Sequence, residues 1–479
     1  MKFFNSLTKQ LEEFVPIDKA GTRVGIYTCG PTVYDYPHIG NWRTFVLGDL
    51  VVRSLIHFGY HPHYLMNITD VGHLTGDNLG DASSGEDRLE KGAKREGKTA
   101  WEVAAYYTKD FLLGYEKLNL TWPKDTFFCK ATDHIAEQIA MIQKIEDKGF
   151  VYRIADGVYF DVGAYEKAGN TYGLMSALHL DEGVARIAEN KEKKDTRDFA
   201  LWKLSPAGEK RQMEWESPWG VGFPGWHIEC SAMSTKYLGE QFDIHIGGED
   251  HKSTHHPNEI AQTESATGKK PFVAYWLHGA FLQVDGGRMG KSLGNTYTLA
   301  DVEGRGFDPL DLRYFYMTGH YRKVLNFTFT GLQAAQNARM KLQRLVGELE
   351  KEMETENKQE GQTDKSAVKS HQENFSNAIA NDLNIPQALG VLWEVVGDEV
   401  LGRGEKRALI TAFDMVLGLG LTQPLLVEKI PKDILELAQK RTKLRDLQDW
   451  AGADGLRDQL LSKGYTVEDG GHDPIIKRK

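Results

Sequence analysis

The chain contains 479 residues, of which 41% are hydrophobic and 26% charged, and its formal net charge is −10 at pH 7. This composition is typical of a folded globular protein of about three domains and argues against non-specific wrapping of nucleic acid, although a local basic patch is compatible with it. Three widely spaced cysteines exclude a disulfide scaffold, and the lack of an export signal or of a membrane-spanning apolar run predicts a cytoplasmic protein.

The first predicted elements form a strand–helix–strand unit. Residues 24–30 (VGIYTCG) are a β-type apolar run that ends before a proline, and residues 63–70 (HYLMNITD) are a second such run. Between them, apolar residues recur at helical spacing from Phe45 to Phe58. This order predicts a βαβ unit, in which the strands are parallel and ligands bind at their carboxyl ends.

A second unit of the same kind follows after an interruption. Residues 242–250 and 272–286 read as strands, and the segment between them reads as a helix. We therefore predict one α/β domain, formed by residues 1–120 and 216–330 and split by an inserted module at 121–215. Residues 331–430 are predicted to be helical, with a polar linker at about 351–372, and residues 431–479 form a small terminal segment rich in both charges.

Two short motifs lie at corresponding places in the two halves. His38-Ile-Gly-Asn41 opens the first helix, where backbone N–H groups favour an anion and a glycine leaves room for a flat nucleotide. Arg288-Met-Gly-Lys291-Ser-Leu-Gly-Asn295 follows the last strand of the second half. Alone, the first motif is equally compatible with chance, and a short basic cluster like the second is more often a solvated surface turn. As a pair, their order and separation resemble the HIGH and KMSKS motifs of class I aminoacyl-tRNA synthetases.

Further segments, in register along the chain, make the resemblance more specific. Taken together they resemble cysteinyl-tRNA synthetase, and they are residues 28–35 (TCGPTVYD), 67–70 (NITD), 198–203 (DFALWK), 225–233 (GWHIECSAM), 258–262 (NEIAQ), 319–322 (GHYR), 382–386 (DLNIP) and 445–450 (RDLQDW). The resemblance implies a Rossmann-type parallel-sheet catalytic domain split by an insertion, then a helical bundle and a small C-terminal anticodon-binding domain. It also implies a monomer that uses L-cysteine, ATP and tRNA(Cys).

The resemblance assigns roles to individual residues. It implies one Zn²⁺ per chain and Mg²⁺ with ATP, and position alone does not separate His255 from its neighbour His256 as a zinc ligand. The residues so implied are, for zinc, Cys29, Cys230, His255 and Glu259; for catalysis, His38 and Lys291; for ATP, His38, Gly40, Asn41 and Lys291; for cysteine, Thr69 and Trp226; and for the anticodon, Arg445, Trp450, Asp454 and Asp469.

Two alternatives stay open from the sequence. A related ligase joins activated cysteine to an amino-sugar in mycothiol synthesis, and residues 431–479 argue against it because that enzyme lacks an anticodon region. An inactive RNA-binding paralogue is the other, and the retained ligand and lysine positions argue against it. The motifs also depart from the family pattern, since Asn41 ends the first motif and the second reads RMGKS.

Overall fold

The computed structural model describes residues 1–72, 87–120, 127–175, 192–206, 208, 210–290, 293–355, 365–423, 432–468 and 475–478. The chain divides into two compact units, Met1–Thr422 and Gln423–Lys479. In the described ranges, none of the helices combines the length and the apolar character needed to span a bilayer.

A five-stranded parallel sheet forms the centre of the first unit. Its order is β11-β10-β3-β4-β5, so strands from both predicted halves join in one sheet. In register, Ile26 lies beside Tyr64 on one side and beside Ile244 on the other. The strands are β3 (Arg23–Thr28), β4 (His61–Ile68), β5 (Phe127–Lys130), β10 (Phe242–Gly248) and β11 (Val273–Gly279). Both predicted βαβ units are therefore confirmed.

Helices cover this sheet and bury its apolar side chains. The long helix α1 links β3 to β4, and Trp42, Phe45 and Leu55 on it are buried in the main core. Its apolar residues face the sheet at the spacing predicted from the sequence. The helices of this layer are α1 (Ile39–His57), α2 (Arg88–Glu96), α3 (Ala100–Lys117), α6 (Trp226–Leu238) and α7 (His255–Thr267).

The inserted module contains a four-stranded antiparallel sheet. Its strands, in sheet order, are β6 (Val151–Ile154), β7 (Gly157–Phe160), β8 (Phe199–Leu204) and β9 (Gly222–Pro224), and its helices are α4 (Ile135–Asp147) and α5 (Val162–Lys167), preceded by the 3₁₀ turn Thr132–His134. Strand pairing shows that the inserted module does not match the predicted range 121–215 at either end. Strand β5 pairs with β4 in the parallel sheet, whereas β9 pairs with β8.

Smaller elements surround the main sheet. They are the hairpin β1 (Lys2–Asn5) and β2 (Gln10–Glu13), the 3₁₀ turn Glu249–Lys252, the sheet of β12 (Leu282–Val284), β13 (Gly287–Arg288) and β14 (Leu325–Phe327), and the helices α8 (Leu299–Glu303) and α9 (Pro309–Met317). The second predicted motif begins on β13. The three-stranded sheet therefore positions that motif.

Four further helices are described in the first unit. They are α10 (Phe329–Thr355), α11 (Lys365–Ala380), α12 (Ile385–Gly397) and α13 (Arg403–Leu417). The prediction of a linker over 351–372 was wrong at both ends, because α10 continues to Thr355 and α11 begins at Lys365. Residues 356–364 lie outside the described residues. Phe375 stacks on Phe413 with ring centroids 4.0 Å apart, so apolar residues elsewhere on α11 hold it in place.

A buried ion pair joins the sheet layer to this helical region. Nη2 of Arg313 on α9 lies 2.5 Å from Oδ2 of Asp49 on α1, and both side chains are fully buried. Nε of Arg313 also donates to the carbonyl oxygen of Leu417 at the end of α13. One guanidinium therefore connects three helices.

Replacing Arg313 by alanine is expected to destabilise the first unit by about 3 kcal/mol, because the buried Asp49 loses one of the two arginines that pair with it, Arg53 being the other. Urea unfolding measures this change in the free energy of unfolding. Arg407→Ala is the matched control, because its pair with Glu350 is exposed and such pairs contribute about 0–1 kcal/mol. An equal loss of unfolding free energy in the two variants would contradict a stabilising role for the buried ion pair.

The described part of the second unit contains two helices and two paired strands. Its elements are α14 (Lys432–Asp446), α15 (Trp450–Ser462), β15 (Tyr465–Glu468) and β16 (Ile475–Arg478), and the two strands pair antiparallel. Ile434, Ala438 and Leu460 form its buried core. Apolar residues on one face of each helix thus suffice to close a small α/β unit.

Candidate active site and metal centre

Four buried side chains converge at the carboxyl end of the parallel sheet. Cys29 directly follows β3, Cys230 lies in α6, and His255 and Glu259 occupy the first turns of α7. One ligand atom from each residue lies within 4.8 Å of every other. The structure therefore brings all four predicted metal ligands together.

The distances within this cluster follow from the local structure. Residues four apart share one helix face, and Nε2 of His255 lies 3.0 Å from Oε1 of Glu259. The Sγ atom of Cys29 lies 3.9 Å from the same carboxylate oxygen. Both cysteines are unbridged thiols. Two thiols, an imidazole and a carboxylate, all buried, form a donor set that suits a borderline-soft divalent cation.

A second combination of ligands shares part of this cluster. Cys29, His245, His256 and Glu259 also lie within 4.8 Å of one another. Nε2 of His256 lies 3.4 Å from the sulfur of Cys29, and Nε2 of His245 lies 2.9 Å from Oε2 of Glu259. Proximity alone therefore leaves both histidines of the 255–256 pair as candidates.

Electrostatics in the cluster favour anionic donors. Burial raises the pKa of Cys230, but hydrogen bonds with Cys29 and His255 outweigh it and lower the pKa of that thiol. Burial raises the pKa of Glu259 as well, yet His245 and His255 together bring it down to about 2. The cluster thus favours negative charge on Cys230 and Glu259, whereas burial and the bond to Cys230 raise the pKa of the Cys29 thiol.

The predicted cysteine-binding residues lie around the same cluster. Trp226 is the first residue of α6, and the centroid of its ring lies 4.4 Å from the centroid of the His255 ring. Oγ1 of Thr69 donates to Oε2 of Glu229 over 2.8 Å and accepts from the side-chain amide of Asn67. Because Glu229 precedes Cys230 in α6, Thr69 is tied to the helix that carries a metal ligand.

The first motif forms the capped start of α1. Nδ1 of His38 accepts hydrogen bonds from the backbone N–H groups of Gly40 and Asn41, and Oδ1 of Asn41 accepts from the N–H of His38. This reciprocal cap fixes the histidine ring. The carboxamide of Asn41, which departs from the family motif, therefore serves the cap.

The two motifs meet at Gly40. A Cβ atom built there would lie 3.0 Å from the His38 ring and 3.3 Å from Cε of Met289, so a larger residue would press on both. The N–H of Ile39 also donates to the carbonyl oxygen of Tyr297. The loop is folded by Asn295, which accepts from the N–H of Gly290 and donates to the carbonyl oxygen of Arg288. Lys291 lies outside the described residues.

The second unit contains the predicted anticodon residues. Trp450 is 56% exposed, and the Arg445 guanidinium lies 5.3 Å from its ring centroid. Asp454 forms an ion pair with Arg457 at 3.1 Å. Asp469 lies outside the described residues. An exposed indole beside an arginine is a suitable surface for a stacked base.

Sequence reasoning missed several members of the site. His245 on β10 and His278 on β11 are fully buried, and His278 bonds to His256 over 2.8 Å. Glu229, which holds Thr69, was also passed over. The sequence did contain a signal for the two histidines. Each interrupts an apolar strand, and a polar side chain buried in this way usually has a hydrogen-bond partner.

The chain is similar to known proteins over nearly its whole length. The family profile described as "tRNA synthetases class I (C) catalytic domain" matches residues 14–337. The chain is 45% identical to "Cysteine--tRNA ligase 1" of Burkholderia lata over 98% of this chain and 95% of the relative. It is 40% identical to "Cysteine--tRNA ligase" of Zymomonas mobilis over 99% of this chain and 96% of the relative.

Solved structures agree on the fold. Methionyl-tRNA synthetase of Mycobacterium tuberculosis bound by methionyl-adenylate superposes with a TM-score of 0.56 over 90% of this chain and 96% of that chain. Their sequences are only 14% identical, so the likeness concerns the fold alone. Together these comparisons confirm the predicted fold class and the predicted family. The chain belongs to the class I tRNA synthetases and, within them, to the cysteine–tRNA ligases.

Proposed function

We propose that this chain joins L-cysteine to ATP as cysteinyl-adenylate, releasing pyrophosphate, and then transfers the cysteinyl group to the 3′-terminal adenosine of tRNA(Cys). The observation that carries the proposal is the buried cluster of two thiols, an imidazole and a carboxylate beside Trp226. It lies at the carboxyl end of the parallel sheet, where ligands of such sheets bind. The names of the full-length relatives support the same reaction.

The proposed metal is one Zn²⁺ held by Cys29, Cys230, His255 and Glu259. Bound there, zinc would accept the thiolate of cysteine as a further ligand in preference to the hydroxyl of serine. Trp226 packs against His255, and Glu229 orients the hydroxyl of Thr69 toward α6. These residues would close the amino-acid pocket around the metal and exclude water from it.

His255 is the proposed zinc ligand of the histidine pair, because its set contributes two cysteine sulfurs and the rival set only one. His255→Ala is therefore expected to lower the zinc content of the purified protein below about half an atom per chain. His256→Ala is the matched variant, since His256 is equally buried and adjacent. If elemental analysis finds less zinc in His256→Ala than in His255→Ala, His256 is the zinc ligand instead.

The adenylate site is proposed at the start of α1, with His38, Gly40, Asn41 and Lys291 around an ATP that carries Mg²⁺. Because Nδ1 of His38 accepts two backbone hydrogen bonds, the proton of the neutral ring is on Nε2, which can donate to a phosphate oxygen. Lys291 would add a cation as charge grows on the transferred phosphate. Gly40 leaves space between the two motifs.

The acceptor distinguishes the two ligase hypotheses. Arg445, Trp450 and the acidic positions Asp454 and Asp469 are proposed to read the anticodon of tRNA, which an amino-sugar ligase would not need. We also propose that the protein acts as a monomer in the cytoplasm. The inactive-paralogue alternative is disfavoured because the four ligand positions lie together and buried.

Deleting residues 431–479 is expected to leave cysteine-dependent ATP–pyrophosphate exchange nearly intact and to lower transfer to tRNA by about tenfold or more. The deleted segment belongs to a separate compact unit, so the adenylate site keeps its own core. Both rates are measured on the same preparation. Full charging of tRNA by the folded truncated protein would refute the anticodon role and favour the amino-sugar ligase.

Trp450→Ala is expected to reproduce part of this loss, chiefly as a higher KM for tRNA, because stacking on an unpaired base contributes about 1–3 kcal/mol. Leu447→Ala in the same unit is the control. Leu447 is 76% exposed and apolar but has no ring on which a base could stack. The same KM change in both variants would argue against stacking.

A further inference from the structure

Helix α2 carries a basic stripe in an otherwise acidic chain. From Arg88 to Lys98 the sequence has five basic and two acidic residues, whereas the whole chain has a net charge of −10. Lys91, Lys94 and Arg95 are exposed at positions i, i+3 and i+4, so they share one helix face. Lys98 is also exposed and follows directly after the glycine that ends the helix.

Two exposed tyrosines adjoin this stripe. Tyr36 is 38% exposed and Tyr106 on α3 is 46% exposed, and their hydroxyls are 2.8 Å apart. The ammonium of Lys98 lies 4.5 Å from the Tyr106 ring centroid. The hydrogen bond between the two hydroxyls raises the pKa of Tyr36 to about 12, so the phenol stays neutral near pH 7. The surface thus offers two uncharged rings, set nearly at right angles to each other, with the Lys98 ammonium over one face of Tyr106.

This surface is next to the start of α1. Tyr36 is two residues before His38, which caps that helix. A Cβ atom at Gly92 would lie 3.6 Å from the carbonyl oxygen of Tyr34 and 3.5 Å from Val103, so α2 packs between the segment that leads to His38 and α3. A chain lying on the tyrosines would therefore have only a short distance to travel to the proposed adenylate.

The local charges favour one class of partner. Glu96 pairs with Arg95 at 3.0 Å and with Lys98 at 3.1 Å, so it offsets part of their charge. Asp35 and Asp110 also lie near the tyrosines, and the exposed Lys94 adds a positive charge on the outer face of α2. Cations that follow a line, beside rings of neutral aromatic residues, match phosphates and unpaired bases of a single strand. Regular double-stranded RNA offers no free base face for such rings.

We propose that Tyr36, Lys94, Lys98 and Tyr106 form an acceptor platform, which binds the unpaired 3′ end of the RNA that receives the cysteinyl group. The rings stack on an unpaired base, and the lysines contact the adjoining phosphates. The platform rests on the proposed function, because it specifies where that acceptor approaches the adenylate. A protein partner on the same face is the competing occupant.

The test compares two RNAs with the full-length protein. Tyr106→Ala and Lys94→Glu are each expected to raise the Kd for intact tRNA(Cys) about tenfold, and to raise it less than about twofold for tRNA trimmed of its unpaired 3′ nucleotides. Tyr106→Phe keeps the ring and is expected to bind like the parent protein. Lys369→Glu, on an exposed site of α11, is the charge control.

The outcomes separate this proposal from the proposed function. A protein that binds tRNA but never charges it refutes the ligase reaction, while the ratio of the two Kd values still tests the platform. Equal losses for intact and trimmed tRNA, or no loss for either, overturn the platform. Unchanged tRNA binding in Tyr106→Ala would leave the surface to a protein partner. Cysteine-dependent ATP–pyrophosphate exchange in each variant is expected to stay within about twofold of the parent rate and confirms a folded catalytic unit.

Discussion

Cys230→Ser is expected to remove zinc from the protein and to lower cysteine-dependent ATP–pyrophosphate exchange by about 100-fold or more. A serine hydroxyl is a poor zinc ligand, and the remaining imidazole, carboxylate and single thiolate would have to hold the ion alone. Zinc content by elemental analysis and the exchange rate are measured on the same sample.

Cys129→Ser is the matched control for this experiment. Cys129 is buried like Cys230, but its sulfur lies 3.7 Å from the carbonyl oxygen of Met66 and belongs to neither candidate ligand set. Its serine variant is expected to keep one zinc per chain and a nearly normal exchange rate. Unchanged zinc in Cys230→Ser, or equal zinc loss in both variants, would contradict the proposed metal centre.

Lys291→Ala is expected to lower kcat for cysteine activation by about 100-fold or more, with a smaller change in the KM for ATP. The negative charge on the reacting phosphate grows as the adenylate forms, so a cation placed there stabilises the transition state more than bound ATP. The contact between Met289 and Gly40 supports this position, because it brings the start of the loop to the capped turn of α1.

Arg288→Ala is the control for the loop charge. Arg288 is exposed on β13, and its backbone carbonyl oxygen accepts the hydrogen bond from Asn295. Replacing its side chain therefore leaves that hydrogen bond in place. Arg288→Ala is expected to lower kcat for cysteine activation by less than Lys291→Ala does. Steady-state kcat and KM for ATP separate the two effects. A normal activation rate in Lys291→Ala would show that this loop does not serve the transferred phosphate.

The sheet and most of the site were predictable from local patterns. Apolar runs at 24–30 and 242–250 indicated strands, and the helical stripe after each indicated βαβ units, so the joining of both halves in one sheet followed from a general rule. The i, i+4 spacing of His255 and Glu259 placed both on one helix face. The thiols needed the family resemblance, because a buried cysteine is more often a core residue.

The errors have physical causes. The linker over 351–372 was predicted from its polarity, but α10 continues to Thr355 and α11 begins at Lys365. A helix needs only one apolar face, which a count of polar residues does not show. His245 and Glu229 were missed because their partners, Glu259 and Thr69, are distant in sequence. Only the pairing of strands and helices brings such residues together.

The most direct test of the proposed function measures ATP–pyrophosphate exchange with each of the standard amino acids in turn. We expect exchange with cysteine, and a rate with serine that is lower by more than the roughly 100-fold that an apolar pocket alone achieves. The zinc-depleted Cys230→Ser protein should lose the response to cysteine. Exchange supported as well by serine or by another amino acid as by cysteine, or no exchange with cysteine, would contradict the central claim.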